Sequence, residues 1–291
     1  MHMVRDFTRR DLLRLSGGAL LSLGLWPSRL RANNSTADDA TFLAVNDLHF
    51  RDADCGPWFE EAVAAMKASA PQAEFCLLAG DLAEDGAPDQ LAGVRDAFRG
   101  LRIPVYCAIG NHDYSGDKDR RSYEEVFPGQ INYAFEHRGW QFVGLDTTVG
   151  LAWKDTTISS TTLNWLNENL PKLDKRKPVV LFTHFPLGAG VPMRPLNADE
   201  LLDRFLEFNL SAVLCGHYHG LTERWFGKTT ITTDRCCSRI RGNHDGSKEK
   251  GWFICKARGS GDVTRQFVAF EPSTSLPGSG GMREETGASN S

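Results

Sequence analysis

What most constrains this chain is one arrangement that occurs five times: a short apolar run followed at once by Asp, His or Asn. Residues 41–45 lead into Asn46-Asp47-Leu48-His49, 74–79 into Gly80-Asp81, and 103–109 into Gly110-Asn111-His112-Asp113. Residues 178–183 lead into His184, and 210–215 into Gly216-His217-Tyr218-His219. Runs this short, rich in β-branched residues and bounded by turn residues, predict strands buried on both faces, as in sheets covered by helices. A sixth run, 140–145 before Asp146, has the same form. Helical patterns lie between the runs at 58–70, 89–99, 161–170 and 198–208, the first two starting just after Pro57 and Pro88. Strand and helix alternation of this kind predicts an α/β fold. In such sheets functional groups gather beyond the C-terminal ends of strands, and all five polar clusters fall there. After His219 the patterns at 223–233, 251–257 and 263–270 are shorter and alternate, as expected for hairpin strands that close the domain.

Together the clusters offer Asp47, His49, Asp81, Asn111, His184, His217 and His219, a set of carboxylate, imidazole and amide donors without a thiolate. This is too many for one catalytic ion, which takes about three protein ligands and keeps a position open. Two ions about 3.5 to 4 Å apart that share one carboxylate would use the whole set. Mixed nitrogen and oxygen ligands suit Mn, Fe, Zn or Ni. The charge balance fits such a centre. The first 32 residues hold six Arg against two Asp, so the rest of the chain carries 27 basic and 35 acidic side chains, a net of -8. A body this acidic is a poor generic binder of nucleic acid or anionic membrane, and an anionic substrate needs a local source of positive charge. Two divalent ions against Asp47 and Asp81 leave a surplus of roughly +2, which attracts phosphate.

The order Asp-x-His, Gly-Asp, Gly-Asn-His-Asp, His and Gly-His-x-His across residues 41–225 resembles the calcineurin-like metallophosphoesterases. Within them it looks closest to the bacterial class III cyclic-nucleotide phosphodiesterases. That likeness rests on Gly80-Asp81-Leu82-Ala83-Glu84-Asp85-Gly86, on Ile103-Pro104-Val105-Tyr106 ahead of Gly110, and on the leucine-rich helix before Gly216. The resemblance implies an α/β fold that is a four-layer α/β/β/α sandwich of two mixed sheets. It gives Asp47, His49, Asp81 and His219 to one metal, and Asp81, Asn111, His184 and His217 to a second. The ions would be divalent or of mixed valence, Mn, Fe or Zn. The implied mechanism has a hydroxide that bridges the ions attack phosphorus in line, with His112 contacting the leaving oxygen. Glu84 is nominated as the group that orients His112, with Asp113 as the competitor. Purple acid phosphatases would carry a metal-binding tyrosine at position 84, so this chain is expected outside that subclass. The implied function is hydrolysis of a small-molecule phosphoester, most like a cyclic-nucleotide or other phosphodiester. An exported phosphatase or nucleotidase is the alternative. A protein that only captures a phosphate-bearing ligand is a third reading, and it would be marked by a defective ligand set or a missing His112.

Ahead of the domain, Arg9-Arg10 precedes a mildly apolar stretch, 15–26, that is too short for a membrane span of about 20 residues. The pattern resembles a twin-arginine export signal. The expected organisation is a signal at 1–32, a polar linker at 33–40, the metallophosphoesterase domain at 41–270 and a disordered Gly/Ser-rich tail at 271–291. The expected location is the periplasm or the medium, with a membrane tether if the signal is kept. The export machinery is then a partner of the precursor, and neither nucleic acid nor stable membrane insertion is expected. The seven cysteines cannot all pair within one chain. Cys76, Cys107 and Cys215 lie in strand runs and read as buried hydrophobes, whereas Cys55, Cys236, Cys237 and Cys255 lie where an oxidising compartment permits a bridge. A second Gly-Asn-His-Asp, 242–245, lacks a preceding strand and reads as a loop from which His244 or Arg241 could reach substrate. Asp146 reads as a structural acid behind the site, Arg51 as an exposed loop arginine, and His137 as part of a turn.

Overall fold

The computed structural model describes residues 37–273. The expected signal and nearly all of the expected tail lie outside the described residues.

Three of the apolar runs form parallel neighbours, β1 (Ala40–Val45), β2 (Phe75–Ala79) and β3 (Val105–Ala108). The hairpin of β10 (Lys250–Ala257) and β11 (Val263–Phe270) extends this sheet antiparallel to β1, giving the order β11-β10-β1-β2-β3. The second sheet contains β4 (Tyr133–His137), β5 (Trp140–Leu145), β6 (Pro178–Thr183), β7 (Asn209–Cys215), β8 (Thr222–Phe226) and β9 (Thr229–Thr233). Its order is β4-β5-β6-β7-β9-β8, parallel in the middle and antiparallel at both edges. The two C-terminal hairpins therefore complete different sheets.

Side chains alternate across each strand and so feed different cores. Phe42 and Ala44 of β1 face the second sheet, where Phe75, Trp140, Phe142, Phe182 and Leu214 join them. Phe42 stacks on Phe75 at 5.0 Å between ring centroids, and Phe142 meets both rings edge-on. Leu43 and Val45 face the other way, against α1 (Gly56–Ser69) and α2 (Pro88–Phe98). Each of these helices has a proline in its first turn, Pro57 or Pro88, where its fixed φ is suited. The buried residues of α1, namely Trp58, Phe59, Ala62, Val63 and Met66, keep helical spacing along one face. On the far side, Val143, Leu145, Leu181 and Val213 pack against α4 (Ser160–Asn169) and α5 (Ala198–Asp203). A short helix, α3 (Arg121–Val126), adds Tyr123 to the core beneath α1 and α2. Three cores between four layers make the α/β/β/α sandwich of two mixed sheets.

Two expectations are corrected. His137 is the last residue of β4, not part of a turn; the turn is Arg138-Gly139. Tyr133 and Phe135 pack against the core between the sheets, a period-2 pattern too short to stand out in the sequence. The helix expected at 198–208 ends at Asp203. Beyond it, hydrogen bonds from Phe205 N to Leu202 O and from Phe208 N to Phe205 O, both 2.9 Å, wind the chain more tightly, burying Phe205 while Leu206 turns to solvent. Among the described residues all seven cysteines are free and buried, including the four placed in the less regular parts. No helix there is long and apolar enough to cross a membrane.

Candidate metal centre

The sandwich brings the C-terminal ends of β1, β2 and β3 beside those of β6 and β7. Asp47 and His49 follow β1, Asp81 follows β2, Asn111 and His112 follow β3, His184 follows β6, and His217 and His219 follow β7. The post-strand loops are tied to each other through their main chains. Asp47 N donates to Gly80 O at 3.1 Å, His49 N to Asp81 O at 3.0 Å and Gly216 N to His184 O at 2.9 Å. His217 N donates to the Asp47 carboxylate at 2.9 Å. Among the described residues nine non-glycine residues have positive φ, and Asp47, His49, Asp81, His217 and His219 are five of them. Such conformations cost free energy and persist where the surroundings over-determine them, often at functional sites. Gly110 shows why the small residue precedes Asn111: a Cβ there would lie 2.1 Å from both the main-chain nitrogen and Oδ1 of Asp81.

The side chains converge in two groups that share one carboxylate. Asp47, His49, Asp81 and His219 bring one ligand atom each within 4.8 Å of one another, and so do Asp81, His184 and His217. Asn111 Oδ1 lies 3.1 Å from His184 Nε2 and joins the second group. All seven residues expected as ligands are thus brought together and buried. The four histidines also share a feature that metal-binding imidazoles have, an outer nitrogen held by an oxygen acceptor. His184 Nδ1 contacts Ala79 O at 2.9 Å, His217 Nε2 contacts Trp153 O at 2.8 Å, and His219 Nδ1 contacts Gly242 O at 2.9 Å. His49 Nδ1 contacts the Glu84 carboxylate at 3.0 Å. With the outer N–H committed in each ring, the inner nitrogens carry lone pairs in the neutral form. Those of His49 and His219 are 3.2 Å apart, and those of His184 and His217 are 3.1 Å apart. Lone pairs this close need a positive charge between them, a proton or a metal ion. The donor set therefore fits divalent cations.

The electrostatics carry the same demand. Burial opposes ionisation of Asp47, yet the charge and hydrogen bond of His219 hold its carboxyl down to about 2. Burial likewise opposes ionisation of Asp81, and His184 and His112 keep it well below the usual carboxylate range. In return, against their own burial, the two carboxylates raise His184 to about 9 and Asp47 raises His219 well above the ordinary imidazole value. Burial lowers His49 to about 4 and His217 to about 3. Two buried anions thus draw positive charge onto His184 and His219.

His112 stands beside this cluster, its ring edge-on to His49 with centroids 4.8 Å apart. Its main-chain nitrogen donates to Asp81 Oδ1 at 2.9 Å, and its Nδ1 contacts Glu84 O at 2.7 Å. Glu84 is therefore the residue that orients His112, through its carbonyl and not its carboxylate. The carboxylate instead bonds His49 Nδ1 and the Arg241 guanidinium, which hold it at about 2 against the effect of burial. Asp113 is not that partner: it accepts from Ala83 N and Gly110 N at 2.8 Å each and braces the loops after β2 and β3. Asp146 binds Arg120 Nη1 at 2.7 Å and Thr148 N at 2.8 Å, away from the cluster. Arg51 is exposed and pairs with Asp52. The second Gly-Asn-His-Asp is a clamp on His219, through Gly242 O to its ring and His244 N to its carbonyl at 2.9 Å. Neither the Arg241–Glu84 pair nor the Trp153 carbonyl was expected from the sequence.

Glu84→Gln removes the charge that faces both His49 and Arg241. Metal affinity is expected to fall about 10- to 100-fold, the usual effect of losing a partner behind a ligand. Competition with a chromogenic chelator measures it, and unchanged affinity contradicts a supporting role for Glu84.

The profile of the calcineurin-like phosphoesterases matches residues 40–221, more than half of the chain and the span that carries all seven expected ligands and His112. The chain belongs to the calcineurin-like phosphoesterase family. This phosphoesterase is 29% identical over 161 residues to a 3',5'-cyclic-nucleotide phosphodiesterase of Nostoc sp., a match covering 51% of this chain and 57% of the relative. It is 23% identical over 214 residues to a glycerophosphodiester phosphodiesterase of Enterobacter lignolyticus, covering 65% and 74%. Over 253 residues it is 21% identical to a 3',5'-cyclic adenosine monophosphate phosphodiesterase of Vibrio vulnificus, covering 83% and 88%. Two of these relatives carry the name of a cyclic-nucleotide phosphodiesterase and one that of a glycerophosphodiester phosphodiesterase. Among solved structures, the purple acid phosphatase of yellow lupin seeds superposes with a TM-score of 0.58 at 13% identity, over 80% of this chain and 52% of that one. That likeness concerns the fold. The phosphoesterase is a metal-dependent enzyme by family and by its Asp and His cluster.

Proposed function

We propose that the chain is an exported hydrolase of small phosphodiesters that works with two metal ions sharing Asp81. One observation carries this reading: two ligand groups meet at one carboxylate, and every histidine in them has its outer nitrogen fixed by an oxygen. Asp47, His49, Asp81 and His219 hold one ion in this reading, and Asp81, Asn111, His184 and His217 the other. Bound there, the ions supply Lewis acidity toward phosphate oxygens and activation of a water at neutral pH. The chain's own residues do the rest. Buried main-chain ties between the loops fix the donors, so little reorganisation is needed when charge develops. His112, held at Nδ1 by Glu84 O, has Nε2 left for the leaving oxygen, to which its cationic form can give a proton. The names of the three relatives above, which refer to cyclic-nucleotide and glycerol diesters, support a diester substrate. The Arg9-Arg10 pair ahead of 15–26 supports export to the periplasm.

A single preparation tests both parts. Protein recovered from the periplasmic fraction of a bacterial host and loaded with Mn, Fe or Zn is expected to hydrolyse cyclic nucleotides or linear diesters faster than monoesters. A monoester preference favours a phosphatase or nucleotidase, recovery only from the cytoplasm refutes export, and phosphate binding without turnover refutes the enzyme reading.

A further inference from the structure

Trp153 combines two facts that rarely go together. Its carbonyl accepts from His217 Nε2 at 2.8 Å, so its backbone stands one imidazole ring away from the cluster. Its side chain is nevertheless 53% exposed, and Leu151 in the same loop is 46% exposed. The loop is not slack. Gly150 has φ +56 and sits so close to the loop at Asp117 that a Cβ would meet the Asp117 carbonyl. Leu151 N donates to Asp117 O at 3.2 Å, and farther on Leu196 N donates to Thr156 O at 2.9 Å and Ile158 N to Asn197 Oδ1 at 2.7 Å. An indole held half in water on a pinned loop loses burial that a small rotation of a slack loop would recover, so the exposure is built in. Lys154 Nζ lies over the indole, 4.7 Å from the centre of the ring, which places a cation against one face of the platform in a body of net charge -8. A flat aromatic surface next to a positive charge suits a planar organic group that carries a phosphate.

We infer that Trp153 is the specificity-determining residue of this site: it stacks the planar group of the substrate, a nucleobase or an aryl ester, and so favours such diesters over those of glycerol. This rests on the diesterase reading above. It also separates, by a residue of this chain, the cyclic-nucleotide and glycerol diesters named for the three relatives above.

The test compares the metal-loaded wild type with Trp153→Ala and Trp153→Phe on 3',5'-cyclic AMP, bis(p-nitrophenyl) phosphate and glycerophosphocholine. Calorimetric binding of AMP and of glycerol 3-phosphate gives a readout independent of turnover. In Trp153→Ala, KM for the two planar esters and the Kd of AMP are expected to rise about tenfold, the scale of losing one base stack. The glycerol compounds should be unaffected, and Trp153→Phe should recover most of the loss. An equal effect on both classes, or none on either, overturns the inference and leaves the diesterase reading in place. A wild type that cleaves no diester overturns both.

Discussion

His112→Ala is expected to keep its metal while kcat falls by about 10²- to 10⁴-fold, the range for removing a positioned acid or base. The two halves of this expectation come from different atoms of the residue. The link to Asp81 runs through the main-chain nitrogen, which alanine retains, so the shared carboxylate keeps its partner. The ring contributes Nδ1 to Glu84 O and leaves Nε2 for the leaving oxygen. A substrate that releases p-nitrophenolate needs little help from a proton and should lose less than one that releases a sugar or alkyl oxygen. That contrast separates proton donation from a structural role, under which both substrates would lose alike. Undiminished kcat on the poorer leaving group contradicts the assignment.

The parts legible in the sequence are those whose physics is local. A parallel strand covered on both faces is apolar along most of its length, and the ligand follows within a few residues of its end. That is why 140–145 and 178–183 coincide with β5 and β6 and why all seven expected ligands converge, Asn111 through its contact with His184. Other features depend on pairs far apart in the chain. The acid partner of His49 and Arg241 is the same residue, Glu84, at separations of 35 and 157 positions. The acceptors for His217 and His219 are the carbonyls of Trp153 and Gly242, and every residue has a carbonyl, so no side-chain pattern marks them. The repeated Gly-Asn-His-Asp illustrates the limit well. The first copy follows a strand and supplies Asn111 and His112, while the second supports His219 from a loop. The preceding strand separates them, and the motif alone does not.

Asp81→Asn is expected to have the largest effect of any single substitution. Asp81 Oδ1 lies 3.2 Å from His184 Nε2 and Oδ2 lies 3.6 Å from His49 Nε2, so its two oxygens face the two ligand groups. Asparagine keeps the size and the acceptor for His112 N but replaces one oxygen with an N–H donor and removes a buried negative charge. The sharing of this carboxylate means that the change reaches both groups at once. Turnover should drop by several orders of magnitude while far-ultraviolet circular dichroism stays that of the folded wild type.

The most direct measurement is elemental analysis of wild type and Asp81→Asn after identical metal loading and removal of free metal. The account predicts about two ions per chain in the wild type, as in two-metal hydrolases, and loss of both in the variant. A variant that retains both ions, or a fully active wild type with a single ion per chain, contradicts it.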